Sequence, residues 1–437
     1  MTRVSVLTGQ KRNKTADLVV ISVPNRRSNM TSQIVLMNQL SIALASDTLT
    51  SRNEASGETK TYPSMSKIFA LESPHQLAVL HCGCTELGDA HWRMLVTEWS
   101  RTLTAPLSKV TEYADNFVAW LGATASRLGL NDNSSFRQIF FIQFSVFANV
   151  KTDEIAKALG QKGHRKSAEY ASDLTQLLKA FQEQVCTEEL YRDMSDDVAA
   201  KLIAKAGTNP IESFRVALNI DPDLEFSEEL EKAINSFALA SLVRYVDSSE
   251  TVDLTFVGYG SDEYFGQISR RFFTGFYGGH ARFKSIDIGS NSPSDYSYTV
   301  PLAQSRAVGP FLYGLDGEMT ETIAQHIGDA ASSDLKMNEK DSKELVSKAM
   351  DRISEWINDE YASPMFRTLD ALGPSALARY ADLLIRMESL RSATLKDEAT
   401  VGGVVESLSI NRSTGVEWHH RVGHDFQSIE ASSHILA

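Results

Sequence analysis

At 437 residues, with 42% hydrophobic side chains and a formal net charge of −13, the chain can bury a large core and is too acidic for a nucleic-acid binder, whose phosphate affinity rests on clustered Lys and Arg. Three cysteines, Cys82, Cys84 and Cys186, make no even-numbered disulfide framework and point to a reducing cytoplasm. The most apolar run, IFFIQFSVFANV at 139–150, is interrupted by Gln143 and is shorter than the roughly 18 residues a membrane helix needs, so no transmembrane helix is expected.

Residues 1–30 set Arg3, Lys11, Arg12, Lys14, Arg26 and Arg27 against the single acid Asp17 and differ in composition from the rest. Their apolar run LVVISV ends at Pro24 and is followed by arginines where a signal peptide has small residues, so they are expected to be a leader, a propeptide or an over-extended start. From Thr31 to Asp47 the alternation, with Ile34, Leu36, Leu40, Ile42 and Leu44 on even positions and a polar Asn-Gln between, predicts two strands joined by a turn. TSRNEASGETKTYPSMS follows as a loop, then KIFALE and QLAVLHCGC as strands, so that four strands precede any helix.

ELGDAHWRMLVTEWSRTL places Leu87, His91, Met94, Leu95, Trp99 and Leu103 near one helical face, and KVTEYADNFVAWLGATASRLGL repeats the pattern. A helical insertion is expected over about 150–250, closing on a helix capped by Ser227. Strands return at TVDLTFVGYG, EYFGQISRRF and HARFKSIDI, with Gly258, Gly260, Gly278 and Gly279 expected in turns. A second helical block covers about 316–393, and VGGVVESLSI with GVEWHHRVGHDF closes the chain as a hairpin. Strands, helices, strands, helices, strands in that order predict a layered α+β fold.

A threonine at a chain N-terminus can use its own α-amino group as general base, because that amine titrates near neutrality and sits beside the hydroxyl. A neighbouring lysine then tunes the charge around the nucleophile, and a carboxylate holds the lysine. Thr31, Lys67 and Asp47 can supply those roles, and Thr31 directly follows Met30, whose removal as an initiator would free the amine. The same three residues also read as ordinary surface residues at strand ends.

From TSQIVLMNQLSIALASD onward the chain resembles the proteasome β-subunits and their bacterial relatives, the N-terminal nucleophile (Ntn) hydrolases. In that family a catalytic threonine opens the first strand and an aspartate ends the hairpin sixteen positions later, the separation of Thr31 and Asp47 here. The resemblance assigns the family's lysine to Lys67 in KIFAL and its oxyanion-binding glycine to Gly83 in HCGCTELGD. Asp397 and Thr400 in DEATVGG match an Asp-x-x-Ser-Gly motif, with Val401 intervening before Gly402. Ser305, after Gln304, stands where the family has a Gly-Ser pair.

The resemblance runs through 31–103, 252–315 and 395–426, most closely to a group of larger bacterial proteasome-like proteins. It implies a four-layer αββα Ntn sandwich over 31–437, with the two helical blocks as insertions. It further implies hydrolysis of peptide bonds through a threonyl ester, a peptide or protein substrate, a homo-oligomer, and no cofactor, metal, nucleic acid or membrane. A non-catalytic scaffold subunit, or an Ntn amidase or acylase acting on a small amide, are the alternatives.

Two other motifs carry less. In HCGC the cysteines share one face of a strand, where free cysteines pack as small hydrophobes, and the spacing with His81 and His91 does not suit zinc. In EWHHRVGHDF the adjacent His419 and His420 point to opposite faces, so at most one of the pair can join a site, and with His424 they read as structural or exposed. GYGSDEYFG lacks the Gly-Lys-Ser/Thr end of a phosphate loop.

Overall fold

A computed structural model describes residues 31–53, 59–62, 65–87, 90–125, 127–128, 132–151, 155, 167–191, 194–207, 209–220, 225–248, 251–277, 280–289, 297–315, 317–394 and 401–422. The expected leader over 1–30, Gly278, Gly279, His424, and the candidate site residues Asp397 and Thr400 lie outside the described residues.

The strands are β1 (Ser32–Met37), β2 (Ile42–Asp47), β3 (Thr50–Asn53), β4 (Thr59–Tyr62), β5 (Ile68–Ala70), β6 (Gln76–Gly83), β7 (Glu86–Leu87), β8 (Ala90–His91), β9 (Val252–Tyr259), β10 (Gln267–Tyr277), β11 (His280–Gly289), β12 (Tyr298–Ala303), β13 (Val405–Asn411) and β14 (Gly415–His420). Among the described residues two five-stranded sheets result, in the orders β12-β1-β2-β13-β14 and β11-β10-β9-β6-β5, with antiparallel pairing throughout. The mixed α+β class expected from the element order is therefore present.

Between the sheets lies a core in which Val35, Met37, Ile42 and Leu44 meet Ala78, Leu80, Val257 and Ile268. The outer face of the first sheet, with Ile34, Leu36, Ala43 and Ala45, packs on the helix Pro374–Thr394. The outer face of the second, with Leu77, Val79, Leu254 and Phe256, packs on α1 (Trp92–Ser100) and α2 (Val110–Thr124) through Trp92, Trp99, Tyr113 and Phe117. Helix, sheet, sheet, helix is thus the order of layers.

The remaining helices form two blocks. In the first, α3 (Asp132–Val150), α4 (Ser167–Val185), α5 (Asp196–Ala206), α6 (Pro210–Leu218) and α7 (Glu228–Val243) gather around their own aromatic core of Phe144, Phe147, Phe181, Phe214 and Phe237. It begins at Asp132, earlier than the expected 150, because the apolar run at 139–150 is a helix of this core. Ser227 caps α7 by accepting from the Leu230 N–H at 3.3 Å. The second block comprises α8 (Val308–Tyr313), α9 (Gly317–Ser333), α10 (Glu339–Ile357), a π turn (Asn358–Ala362), α11 (Ser363–Asp370) and α12 (Pro374–Thr394). Among the described residues no helix is long and apolar enough to cross a membrane.

Two strands joined by a turn form over 31–47 as the alternation predicts, and because the turn reverses parity Ile34 and Leu36 face helices whereas Ile42 and Leu44 face the other sheet. Other local expectations fail for identifiable reasons. Leu40, counted in that pattern, is 57% exposed in the turn. The polar stretch after Asp47 contains the ribbon β3–β4 rather than being loop throughout, and with β7 and β8 eight strands precede α1 among the described residues instead of four. Met94 faces outward on α1, while Trp92, Leu95, Val96 and Trp99 are buried. Gly258 lies inside β9, where a Cβ would come within 2.1 Å of the Gln76 carbonyl oxygen, so close strand approach and not a turn demands it.

Candidate active site

Thr31 stands immediately before β1, and alternation puts it on the face shared by Gln33, Val35 and Met37, turned toward the second sheet. Its carbonyl accepts the Gln304 N–H at 3.0 Å, which ties it to the end of β12. The next peptide N–H, that of Ser32, donates to Asp47 Oδ1 at 2.9 Å. Lys67, just before β5, reaches the same oxygen with Nζ at 2.9 Å and donates also to the Leu49 carbonyl at 2.6 Å. Asp47 Oδ2 accepts the Gly402 N–H at 3.2 Å.

The surface reading of these residues is therefore overturned. Thr31, Asp47 and Lys67 are 7%, 0% and 5% exposed, because the hairpin that carries two of them is the middle of a sheet covered on both faces. A buried charge pair persists only where its remaining hydrogen-bonding capacity is met, and here backbone groups at the start of β1 and on two loops meet it. Burial pushes the Asp47 carboxyl above its ordinary value, against the pull of the Lys67 ammonium and the Ser32 and Gly402 amides.

Gly83 ends β6 at a φ of +99°, and a Cβ there would come within 2.2 Å of the Thr251 carbonyl oxygen. This position requires glycine on backbone grounds whatever its chemistry. The strand carrying it is tied to the strand carrying Thr31 by Gln33, whose Nε2 donates to the His81 carbonyl at 2.9 Å across the inter-sheet space. His81 itself is buried, with Nε2 against the Cys84 carbonyl at 2.8 Å, and burial lowers its pKa to about 4.

Ser305 lies two residues beyond Ala303, which pairs with Ser32, so it belongs to the turn beside Thr31; its carbonyl accepts the Gly309 N–H at 2.7 Å. Ala303 has a φ of +63°, a conformation costly for a residue with a Cβ. The structure thus brings Thr31, Asp47, Lys67 and the Ser305 turn together, with Gly83 on the strand that Gln33 holds opposite.

His91 does not act with the cysteines: its Nδ1 accepts the Arg93 N–H and caps α1. His419 and His420 contact Ser409 and Val405 on β13 and β14, which lie on the far side of β2 from β1.

Four contributors escaped the sequence reading. Gly402 was legible as the glycine of the Asp-x-x-Ser-Gly match but not as an Asp47 donor. Gln33 and Glu406 are long polar side chains buried in the strands β1 and β13, and Glu406, fully buried, accepts from Ser66 Oγ at 2.5 Å beside Lys67. Glu388 lies on the apolar stripe of α12, and that misplacement was its visible signal. Compared with protein-family models and with curated proteins, the sequence matches none.

Proposed function

We propose that the chain is a proteasome-like N-terminal threonine hydrolase that cleaves peptide bonds through a threonyl ester. The observation that carries this reading is the Asp47 carboxyl, which gathers the Ser32 N–H and the Lys67 ammonium on one oxygen directly beside Thr31. The two facing antiparallel sheets with helices outside them support an Ntn-type sandwich. Peptide or protein substrates, self-assembly and a cytoplasmic location belong to the same proposal.

In the reaction Thr31 Oγ1 attacks the substrate carbonyl carbon while the free α-amine of Thr31 takes the hydroxyl proton. The carbonyl electron pair moves onto oxygen, where the Gly83 N–H receives it. Collapse breaks the C–N bond, and the leaving amine carries away the proton from the Thr31 ammonium. Water, deprotonated by the same amine, then hydrolyses the ester. Lys67, held by Asp47 and Leu49, keeps positive charge next to the nucleophile. The mechanism needs the Met30–Thr31 bond absent, through removal of an initiator Met30 or cleavage of a preceding segment.

A chain begun at Met30 is expected to mature to Thr31 and to form a covalent adduct at Thr31 with a β-lactone, whereas Thr31→Ala forms none and loses amide hydrolysis. Retained hydrolysis in Thr31→Ala, or no adduct on a chain shown by mass to start at Thr31, sinks the proposal. The scaffold reading, under which Gly83 and the Asp47–Lys67 pair serve packing alone, then leads.

A further inference from the structure

The C-terminal turns of α12 hold two loops of the site, the one after Gln304 beside Thr31 and the one that brings Gly402 to Asp47. The buried stripe of this helix runs through Leu377, Ala381 and Leu384 and continues at the same spacing into Glu388, which is 3% exposed, and then Ser392. A carboxyl group on such a stripe needs donors, and it has them: Glu388 Oε1 accepts the Arg306 N–H at 3.1 Å, and Oε2 accepts those of Ala307 and Val308 at 2.7 and 3.1 Å. These amides open α8, where no intrahelical acceptor exists for them. One turn further on, Arg391 Nη1 donates to the Arg306 carbonyl. Ser392 Oγ accepts the Val401 N–H at 3.2 Å.

Each loop then acts directly on the nucleophile's surroundings. The residue before the 305–308 turn, Gln304, donates its N–H to the Thr31 carbonyl and accepts from Ser32 Oγ at 2.9 Å. Gly402, next to Val401, donates to Asp47 and accepts the Thr48 and Leu49 N–H groups at 3.3 and 3.1 Å, and Leu49 in turn accepts from Lys67.

Resting on the threonine reading above, we propose that Glu388 is a positioning residue for Thr31: by fixing the turn after Gln304 it sets the direction of the Thr31 backbone, and with it of the hydroxyl and amine. A mere helix cap would change how much protein folds. A positioning residue changes how fast the folded protein reacts.

The test uses the chain begun at Met30 and a β-lactone that acylates Thr31, the ring C–O bond breaking as the ester forms and the ring oxygen taking the proton. In Glu388→Gln one acceptor oxygen is replaced by an NH2 group that faces backbone donors. The maximal acylation rate is expected to fall tenfold or more while the fraction labelled at completion stays that of wild type, and the amides of 304–309 are expected to exchange hydrogen tenfold faster or more. Glu388→Asp, which keeps the charge but draws it back by one methylene, gives the same comparison if the glutamine variant does not fold. Unchanged exchange at 304–309, or a lower labelled fraction at an unchanged rate, overturns the inference. A wild-type chain that starts at Thr31 and takes no label instead overturns the threonine reading, and leaves Glu388 as a cap alone.

Discussion

Replacing Asp47 with asparagine keeps the shape of the side chain and removes the charge that holds Lys67. Asp47 is fully buried and Lys67 nearly so, with Nζ at 2.9 Å from Oδ1. Removing one member of a buried pair costs about 3–5 kcal/mol, chiefly because the other charge is left uncompensated. Two features place Asp47→Asn near the lower end, about 3 kcal/mol: Lys67 keeps its bond to the Leu49 carbonyl, and the amide oxygen still accepts the Ser32 N–H. Against a typical net stability of about 5–15 kcal/mol this is a large loss. Urea unfolding followed by tryptophan fluorescence reports it, since Trp92 and Trp99 are buried against the second sheet. Lys67→Met in the same background removes the stranded charge, so the double variant should recover about 2 kcal/mol of the summed single losses. A loss below about 1 kcal/mol for Asp47→Asn, or strict additivity in the double variant, would refute the account of the pair as a coupled buried unit.

Gly83→Ala should lose about 3 kcal/mol or more, from positive φ and from the clash with the Thr251 carbonyl together; a thermal midpoint equal to wild type would contradict the geometry. Ala303→Gly should gain up to about 1 kcal/mol in urea by relieving the left-handed conformation, and a clear loss would show that the turn does not need it. His81 is neutral when folded and takes a proton near 6.5 when unfolded, so its contribution to stability is complete above about pH 6.5 and declines as pH falls toward 4, by up to about 3 kcal/mol. Its ring proton resonances should show no titration between pH 7 and 5; a midpoint near 6.5 would mean that the ring is not buried.

Local periods in the sequence were enough for the strands around 31–47, 76–83 and 252–289, for the amphipathic helices α1 and α2, and for the Ser227 cap, because each depends on residues within a few positions of one another. The spacing of Thr31, Asp47 and Lys67 singled them out for the same reason: strand starts and ends are local features. Whether they sat in solvent or in a core was not local. Burial of Asp47 needs β13 on one side of β2 and β1 on the other, and its Gly402 donor comes from 355 positions away. The roles of Gln33, Glu388 and Glu406 depend likewise on which strand faces which across the sandwich and on how α12 lies along the sheet. A sequence pattern specifies the face on which a polar residue falls, whereas only the packed layers supply the donors that make its burial tolerable.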